Sequence, residues 1–369
     1  MNKIIKGYES HKKLAEIFSE LGVKKYMLVC GSSIRLLKIS SYLSELKIPS
    51  VRFSGFKPNP SYDEVCAGVE LFRKEKCDAI LAVGGGSAID VAKCIKLFSG
   101  MPSDAFYLKE EFRDTGVPLI AIPTTAGTGS ESTRFSVIYY EGNKYSVVDD
   151  SIIPDYAILD YETLKPLPLY QKKCTMLDAL CQAIESLWSV NSTEESRELS
   201  RLAINLIRVN KYAFLYENSD ESCEKIMLAS NYAGRAINIT TTTAAHAMSY
   251  KLTSCYDIPH GHAVAVCLLP LFKHMAANTD KCRDPRGKEH LSSVLLDIAK
   301  ALGTNTTEEG IEAFRKMLSE MEISGSEIPE NDVEMLSSTV NAEKLKNHPV
   351  ELDKDTISKL YYEIIKNEK

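Results

Sequence analysis

Gly84-Gly85-Gly86-Ser87-Ala88-Ile89-Asp90-Val91-Ala92-Lys93 follows directly on the apolar run Ala79-Ile80-Leu81-Ala82-Val83. The run reads as a buried strand, and the residues after the glycines have helical spacing. A strand, a glycine turn and a helix in that order present bare backbone N–H groups to an anion. Gly85 and Gly86 let the backbone approach a pyrophosphate closely, and Ser87 is expected to start the helix as its N-cap.

A second turn of the same kind lies downstream. Leu119-Ile120-Ala121-Ile122 is another short apolar strand, followed by Pro123-Thr124-Thr125-Ala126-Gly127-Thr128-Gly129-Ser130-Glu131. Its hydroxyls offer donors to phosphate or ribose oxygens. Strand-end turns of an open parallel sheet are where such folds hold ligands. Upstream, residues 11 to 21 read as an amphipathic helix and Tyr26 to Cys30 as a buried strand ending at Gly31-Ser32-Ser33. A helix over 34 to 46, a strand near Val51 to Phe53 and a helix from Asp63 to Lys74 complete the alternation. Alternating strands and helices predict a doubly wound parallel sheet. Ala157 to Asp160 is the last clear strand; beyond Pro166 and Pro168 the pattern turns helical. The reading is an α/β nucleotide-binding domain over 1–164 and an all-α domain over 165–369.

The chain has 369 residues, enough for two domains with a large core. A net charge of −6, with no basic run, argues against a nucleic-acid partner. The cysteines are scattered with no CxxC pair, so no zinc ribbon or thioredoxin-like site is indicated. The first residues are charged and lack an apolar signal core, and no apolar run is long enough to span a bilayer. The expectation is a cytoplasmic protein with reduced thiols.

Five pieces stand together in order: Pro58-Asn59-Pro60, Gly84 to Lys93, Pro123 to Glu131, Asp178-Ala179-Leu180-Cys181-Gln182-Ala183-Ile184-Glu185, and His246-Ala247-Met248 with Pro259-His260-Gly261. In that combination the chain resembles the iron-containing (group III) alcohol dehydrogenase family, whose fold is also that of dehydroquinate synthase-like proteins. The resemblance implies a nicotinamide cofactor, NADPH or NADH, beside a divalent metal, iron ahead of zinc. It further implies a homodimer and a small aldehyde or alcohol as substrate.

Carried over residue by residue, the resemblance places metal ligands at Asp178, Gln182, His246 and His260. The family's usual set is one Asp and three His; Gln182 stands where a His is expected. Its amide oxygen is a neutral, weaker donor, so the expected core is Asp178, His246 and His260 with Gln182 as fourth ligand or supporting partner. The resemblance also assigns the cofactor to Gly31, Ser32, Asn59, Gly85, Gly86, Ser87, Asp90, Thr124, Thr125, Thr128, Ser130 and Lys144. Where the family often has a second His, four residues after His246, this chain has Tyr250. Tyr250, His260 and His262 are the catalytic candidates, with the proton relay assigned to Tyr250 or His262.

Nothing acidic follows the first strand, and Arg35 lies near Gly31 and Ser32, which favours NADPH. Arg134, Arg235 and Lys251 suit an anionic aldehyde. The motifs around Gln182, Tyr250 and His260 look like the phosphonoacetaldehyde reductase branch of the family. The alternatives are a broad primary alcohol or diol dehydrogenase and a dehydroquinate synthase-like lyase.

Overall fold

A computed structural model describes residues 2–325 and 328–366. It divides into two compact units: residues 1–167 with 218–227, and residues 168–217 with 228–369. The first break falls three residues beyond the expected boundary, and the first turns of one later helix join the N-terminal unit.

In the first unit, six strands form one parallel sheet: β1 (Lys3–Lys6), β2 (Tyr26–Cys30), β3 (Ser50–Phe53), β4 (Ala79–Gly84), β5 (Leu119–Pro123) and β8 (Tyr156–Leu159), in the order β1-β8-β5-β4-β2-β3. Period-two alternation sends Ile80 and Ala82 to one face and Ala79, Leu81 and Val83 to the other. Helices α1 (Leu14–Glu20) and α2 (Ile39–Glu45) cover the second face. Helices α3 (Tyr62–Lys74) and α4 (Gly86–Phe98) cover the first. Burial on both faces explains why the central strands read as unbroken apolar runs. Helix α3 opens on a capping box between Ser61 and Glu64.

Three local expectations are corrected. The cap of α4 is Gly85, in extended backbone, and Ser87 lies inside the first turn. The stretch 34–46 is broken into a 3₁₀ turn (Ser32–Leu36) and α2, because Leu37 leaves the helical region. Asp160 lies beyond β8 and caps the next turn through Glu162. The hairpin β6 (Phe135–Tyr140) and β7 (Asn143–Val148), joined by Glu141-Gly142, was not expected, nor was the edge strand β1.

The second unit is helical: α5 (Leu169–Trp188), α6 (Glu194–Tyr212), most of α7 (Asp220–Thr240), α8 (Ala244–Tyr256), α9 (His260–Ala277), and shorter helices out to Lys366. Helix α9 packs closely on both α5 and α8. All ten cysteines are unpaired with one another. No described helix is long and apolar enough to cross a membrane.

Candidate metal centre and cofactor turns

In the first unit the sheet order sets the cofactor candidates side by side. Strand β2 connects outward to β3, while β4 connects the other way to β5, so the topology switches between β2 and β4. Ligands of open α/β sheets bind outside the carboxyl ends of strands at such a point. Gly31 and Ser32 follow β2, Gly85 to Ser87 follow β4, and Thr124 to Ser130 follow β5, the next strand over. Asn59 lies in the exposed loop after β3, in left-handed backbone, and Lys144 lies on β7.

The two phosphate-competent turns touch. A Cβ on Gly86 would stand 2.8 Å from Thr128 Cγ2, and one on Gly85 would stand 3.2 Å from Thr125 Oγ1. Asp90 braces the second turn, accepting from Ser130 Oγ at 2.6 Å and from Val137 N–H at 3.0 Å. Burial pushes its carboxyl up, against the pull of Lys93 and of the Ser130 bond. Lys93 is wholly buried and donates to Ser130 Oγ, Thr133 O, Thr133 Oγ1 and Phe135 O at 2.7–3.1 Å. Burial lowers its pKa to about 8 despite Asp90 and Glu131. Lys93 thus latches the turn from beneath, a role the sequence reading did not assign. Arg35 is exposed, and another cation stands at the Gly31 turn: Arg52, on β3, donates to Gly31 O at 3.1 Å. Only strand pairing brings Arg52 there, so its sequence position gave no signal.

In the second unit the spacing of Asp178, Gln182 and Glu185 puts all three on one face of α5. Helix α8 carries His246 in its first turn and Tyr250 one turn on. It ends at Asp257, in left-handed backbone, and Pro259 then precedes His260 at the start of α9. This short connection folds His260 back beside His246, with ring centroids 5.4 Å apart. One ligand atom each from Asp178, His246 and His260 lie within 4.8 Å of one another. Gly261 permits the approach: a Cβ there would stand 1.9 Å from Cys174 O and 2.9 Å from Asp178 Cβ.

The donor set fits a divalent transition ion, with one carboxylate and two imidazoles. His246 Nε2 is buried and makes no hydrogen bond among the described residues, with Asp178 Oδ1 3.4 Å away. Burial opposes charge on His246, but Glu185 and Asp178 outweigh it and raise its pKa to about 9. Burial likewise opposes charge on Asp178, yet His246, His260 and Gln182 hold its carboxyl below the usual range. Gln182 Nε2 donates to Asp178 Oδ1 at 3.3 Å, so its amide supports the carboxylate. Burial pushes the Cys181 and Cys267 thiols upward, and neither joins the group formed by Asp178, His246 and His260.

The remaining candidates are spread more widely. The Tyr250 ring lies parallel to His260, 6° between planes and 6.1 Å between centroids. His262 is held on both sides: Nδ1 meets Tyr170 OH at 2.8 Å and Nε2 meets Ser324 O at 2.6 Å. A carbonyl only accepts, so Nε2 must keep the proton, and the ring is fixed in one tautomer as a bridge. Arg134 belongs to the first unit and pairs with Asp150 at 3.4 Å. Arg235 on α7 and Lys251 on α8 are partly exposed, with no ion pair among the described residues. In the sequence Glu185 marks only the end of a motif. Here it meets His246 Nδ1 through one oxygen and the start of α8 through the other.

Residues 2–161 match the sequence profile of the iron-containing alcohol dehydrogenases, and residues 173–365 match that of the C-terminal part of the Fe-containing alcohol dehydrogenase family. The NADPH-dependent butanol dehydrogenase of Clostridium saccharobutylicum is 29% identical, over 96% of this chain and 95% of its own. The phosphonoacetaldehyde reductase of Streptomyces viridochromogenes is 34% identical, over 65% of this chain and 64% of its own. Among solved structures, sulfoacetaldehyde reductase from Bifidobacterium kashiwanohense in complex with NAD+ superposes with a TM-score of 0.89 at 26% identity, covering 100% of this chain and 98% of that one.

Proposed function

The chain belongs to the iron-containing alcohol dehydrogenase family, and from that premise we propose that it reduces phosphonoacetaldehyde to 2-hydroxyethylphosphonate with NADPH. Its reaction class is that of an NAD(P)-dependent alcohol dehydrogenase or aldehyde reductase using a divalent metal. The nicotinamide, when bound, would supply a hydride for the aldehyde carbon, and a general acid or solvent would supply the proton that completes the alcohol. Asp178, His246 and His260 would hold a divalent ion, iron ahead of zinc, which would supply Lewis-acid polarisation of the carbonyl oxygen. The chain's own part is to hold the two reactants. The N–H groups of Gly85 to Ser87 and the hydroxyls of Thr124, Thr125, Thr128 and Ser130 receive the pyrophosphate and ribose, with Asn59 and Lys144 as further polar contacts. Gln182 steadies Asp178, and Tyr250 packs on His260.

The preference for NADPH is supported by the lack of an acidic side chain after β2 and by Arg52 beside Gly31. An anionic substrate is supported by Lys251, one residue beyond Tyr250, and by Arg235. Relatives named for phosphonoacetaldehyde and sulfoacetaldehyde point the same way. The observation that carries the reaction is the convergence of one carboxylate and two imidazoles from three helices. A second reading, a primary alcohol dehydrogenase of broad range, is favoured by the butanol dehydrogenase, which aligns over nearly its whole length.

Initial rates of NADPH and NADH oxidation with phosphonoacetaldehyde and butanal at matched concentrations, on protein loaded with Fe²⁺ or Zn²⁺, test the proposal. Phosphonoacetaldehyde is expected to give a kcat/KM at least about tenfold higher, the worth of one charge-assisted contact of about 1.5–3 kcal/mol. The KM for NADPH is expected below that for NADH. Preference for butanal would establish the second reading.

A further inference from the structure

Glu185 is completely buried on α5, two turns from Asp178, and each of its oxygens has a different task. Oε1 accepts from Thr243 Oγ1 at 2.6 Å, from Ala245 N–H at 2.9 Å and from Thr243 N–H at 3.2 Å. These are the donors at the start of α8, whose N-cap residue, Thr243, has no capping bond of its own side chain. The carboxylate therefore does the capping from another helix, where the helix dipole also favours negative charge. Thr243 Oγ1 in turn accepts from Trp188 Nε1 at 2.9 Å, which fixes the direction of its own O–H toward Glu185. Oε2 meets His246 Nδ1.

We propose that Glu185 is a positioning residue that holds His246 in the tautomer able to bind the metal. This deepens the metal reading above and rests on it. An acceptor-only carboxylate against Nδ1 keeps a ring proton there, so Nε2, facing Asp178, is the nitrogen whose proton leaves when a metal binds. Carboxylates behind metal-bound histidines act in this way and typically matter 10- to 100-fold in affinity. Here the same side chain also seats the helix that carries the histidine. Ring orientation and helix position are thus set by one residue, which contributes no ligand atom itself.

The two tasks can be separated. In Glu185→Gln the amide oxygen can still cap α8, but the amide nitrogen then turns an N–H toward His246 Nδ1. The ring must accept there and carry its proton on Nε2, where the metal would bind. Zn²⁺ affinity, by competition with a chromophoric chelator, and melting of the metal-free protein are measured for wild type, E185Q, Thr243→Val and His260→Ala. The expectation for E185Q is a 10- to 100-fold loss of Zn²⁺ affinity with metal-free melting close to wild type. Thr243→Val is expected to do the reverse, lowering the melting temperature and leaving affinity within about threefold. Zn²⁺ affinity in E185Q within threefold of wild type overturns the proposal. So does an affinity loss matched by an equally large drop in metal-free melting. If E185Q does not fold, the pair Glu185→Asp and Glu185→Asn repeats the comparison one methylene shorter, and equal affinity in the two overturns the proposal. Failure of the metal reading looks different: wild type binds no stoichiometric Zn²⁺, or His260→Ala binds it as tightly as wild type.

Discussion

Gly86 and Gly261 both exist to let two pieces of chain come close, and they face opposite kinds of neighbour. Gly86 opens α4, and the atom its missing Cβ would strike is the methyl of Thr128, at 2.8 Å. Gly261 lies in the first turn of α9, and its missing Cβ would stand 1.9 Å from the carbonyl oxygen of Cys174 on α5. A threonine methyl at a loop can yield by a small shift. A carbonyl inside a buried helix cannot move without moving the helix. The proposed cofactor turns are a backbone site whose parts adjust locally. The proposed metal group is a side-chain site whose geometry is inherited from how tightly α9 packs on α5 and α8.

The largest effect is therefore expected from Gly261→Ala. Helix propensity alone favours alanine by about 1 kcal/mol. The clash with Cys174 O and with Asp178 Cβ should reverse that sign, at a net cost of about 3 kcal/mol or more. Helix α9 would be displaced from α5, separating His260 from Asp178. Metal analysis and melting of the purified variant check this: bound metal should fall well below one ion per chain, and the melting temperature should drop. A variant that melts higher and keeps a full complement of metal would break the contrast.

Gly86→Ala should act more mildly and on a different ligand. Pushing Thr128 aside costs about 1–3 kcal/mol of overpacking, so the Kd for NADPH is expected to rise about 5- to 150-fold. Metal content should stay at the wild-type level. Fluorescence titration of NADPH beside metal analysis separates the two. If Gly86→Ala lowered metal content and left NADPH binding unchanged, the assignment of each glycine to its own ligand would be wrong.

What could be read in the chain follows the same division. The strands β2, β4 and β5 are buried on both faces, so they print as uninterrupted apolar runs, and each ends in a turn of glycines or hydroxyls. That signal is local. The β6–β7 hairpin is half exposed and leans on α4, so its strands lack such a run; Glu141-Gly142 was its one cue. Edge strand β1 is four residues long and largely exposed, which leaves no pattern to read. Arg52 reaches Gly31 only through the pairing of β2 with β3, which comes after folding. Asp178, His246 and His260 lie far apart in sequence, and family resemblance rather than spacing singled them out. Glu185 and Lys93 were hidden for one shared reason. A buried charged residue in a helical run looks like any solvated one until its partners, dozens of residues away, are in place.

Tyr250 gives the smallest effect and the sharpest test of the side-chain site, because it is where the chain departs from the family's usual histidine. Its ring lies flat beside His260, with 6° between planes. If that face is what matters, Tyr250→Phe keeps it and Tyr250→Leu does not. An aromatic contact of this kind is worth about 0.5–1.5 kcal/mol. Turnover in the Phe variant should then stay within about threefold of wild type, while the Leu variant should lose about 2- to 13-fold in metal affinity. A phenol serving as general acid would behave otherwise, because proton transfer from a placed side chain contributes about 10²- to 10⁴-fold. A fall of that size in kcat for Tyr250→Phe, with metal affinity intact, would move Tyr250 from support of His260 to proton donor. The metal group would then include a working hydroxyl, and the histidine absent at position 250 would be replaced in function as well as in place.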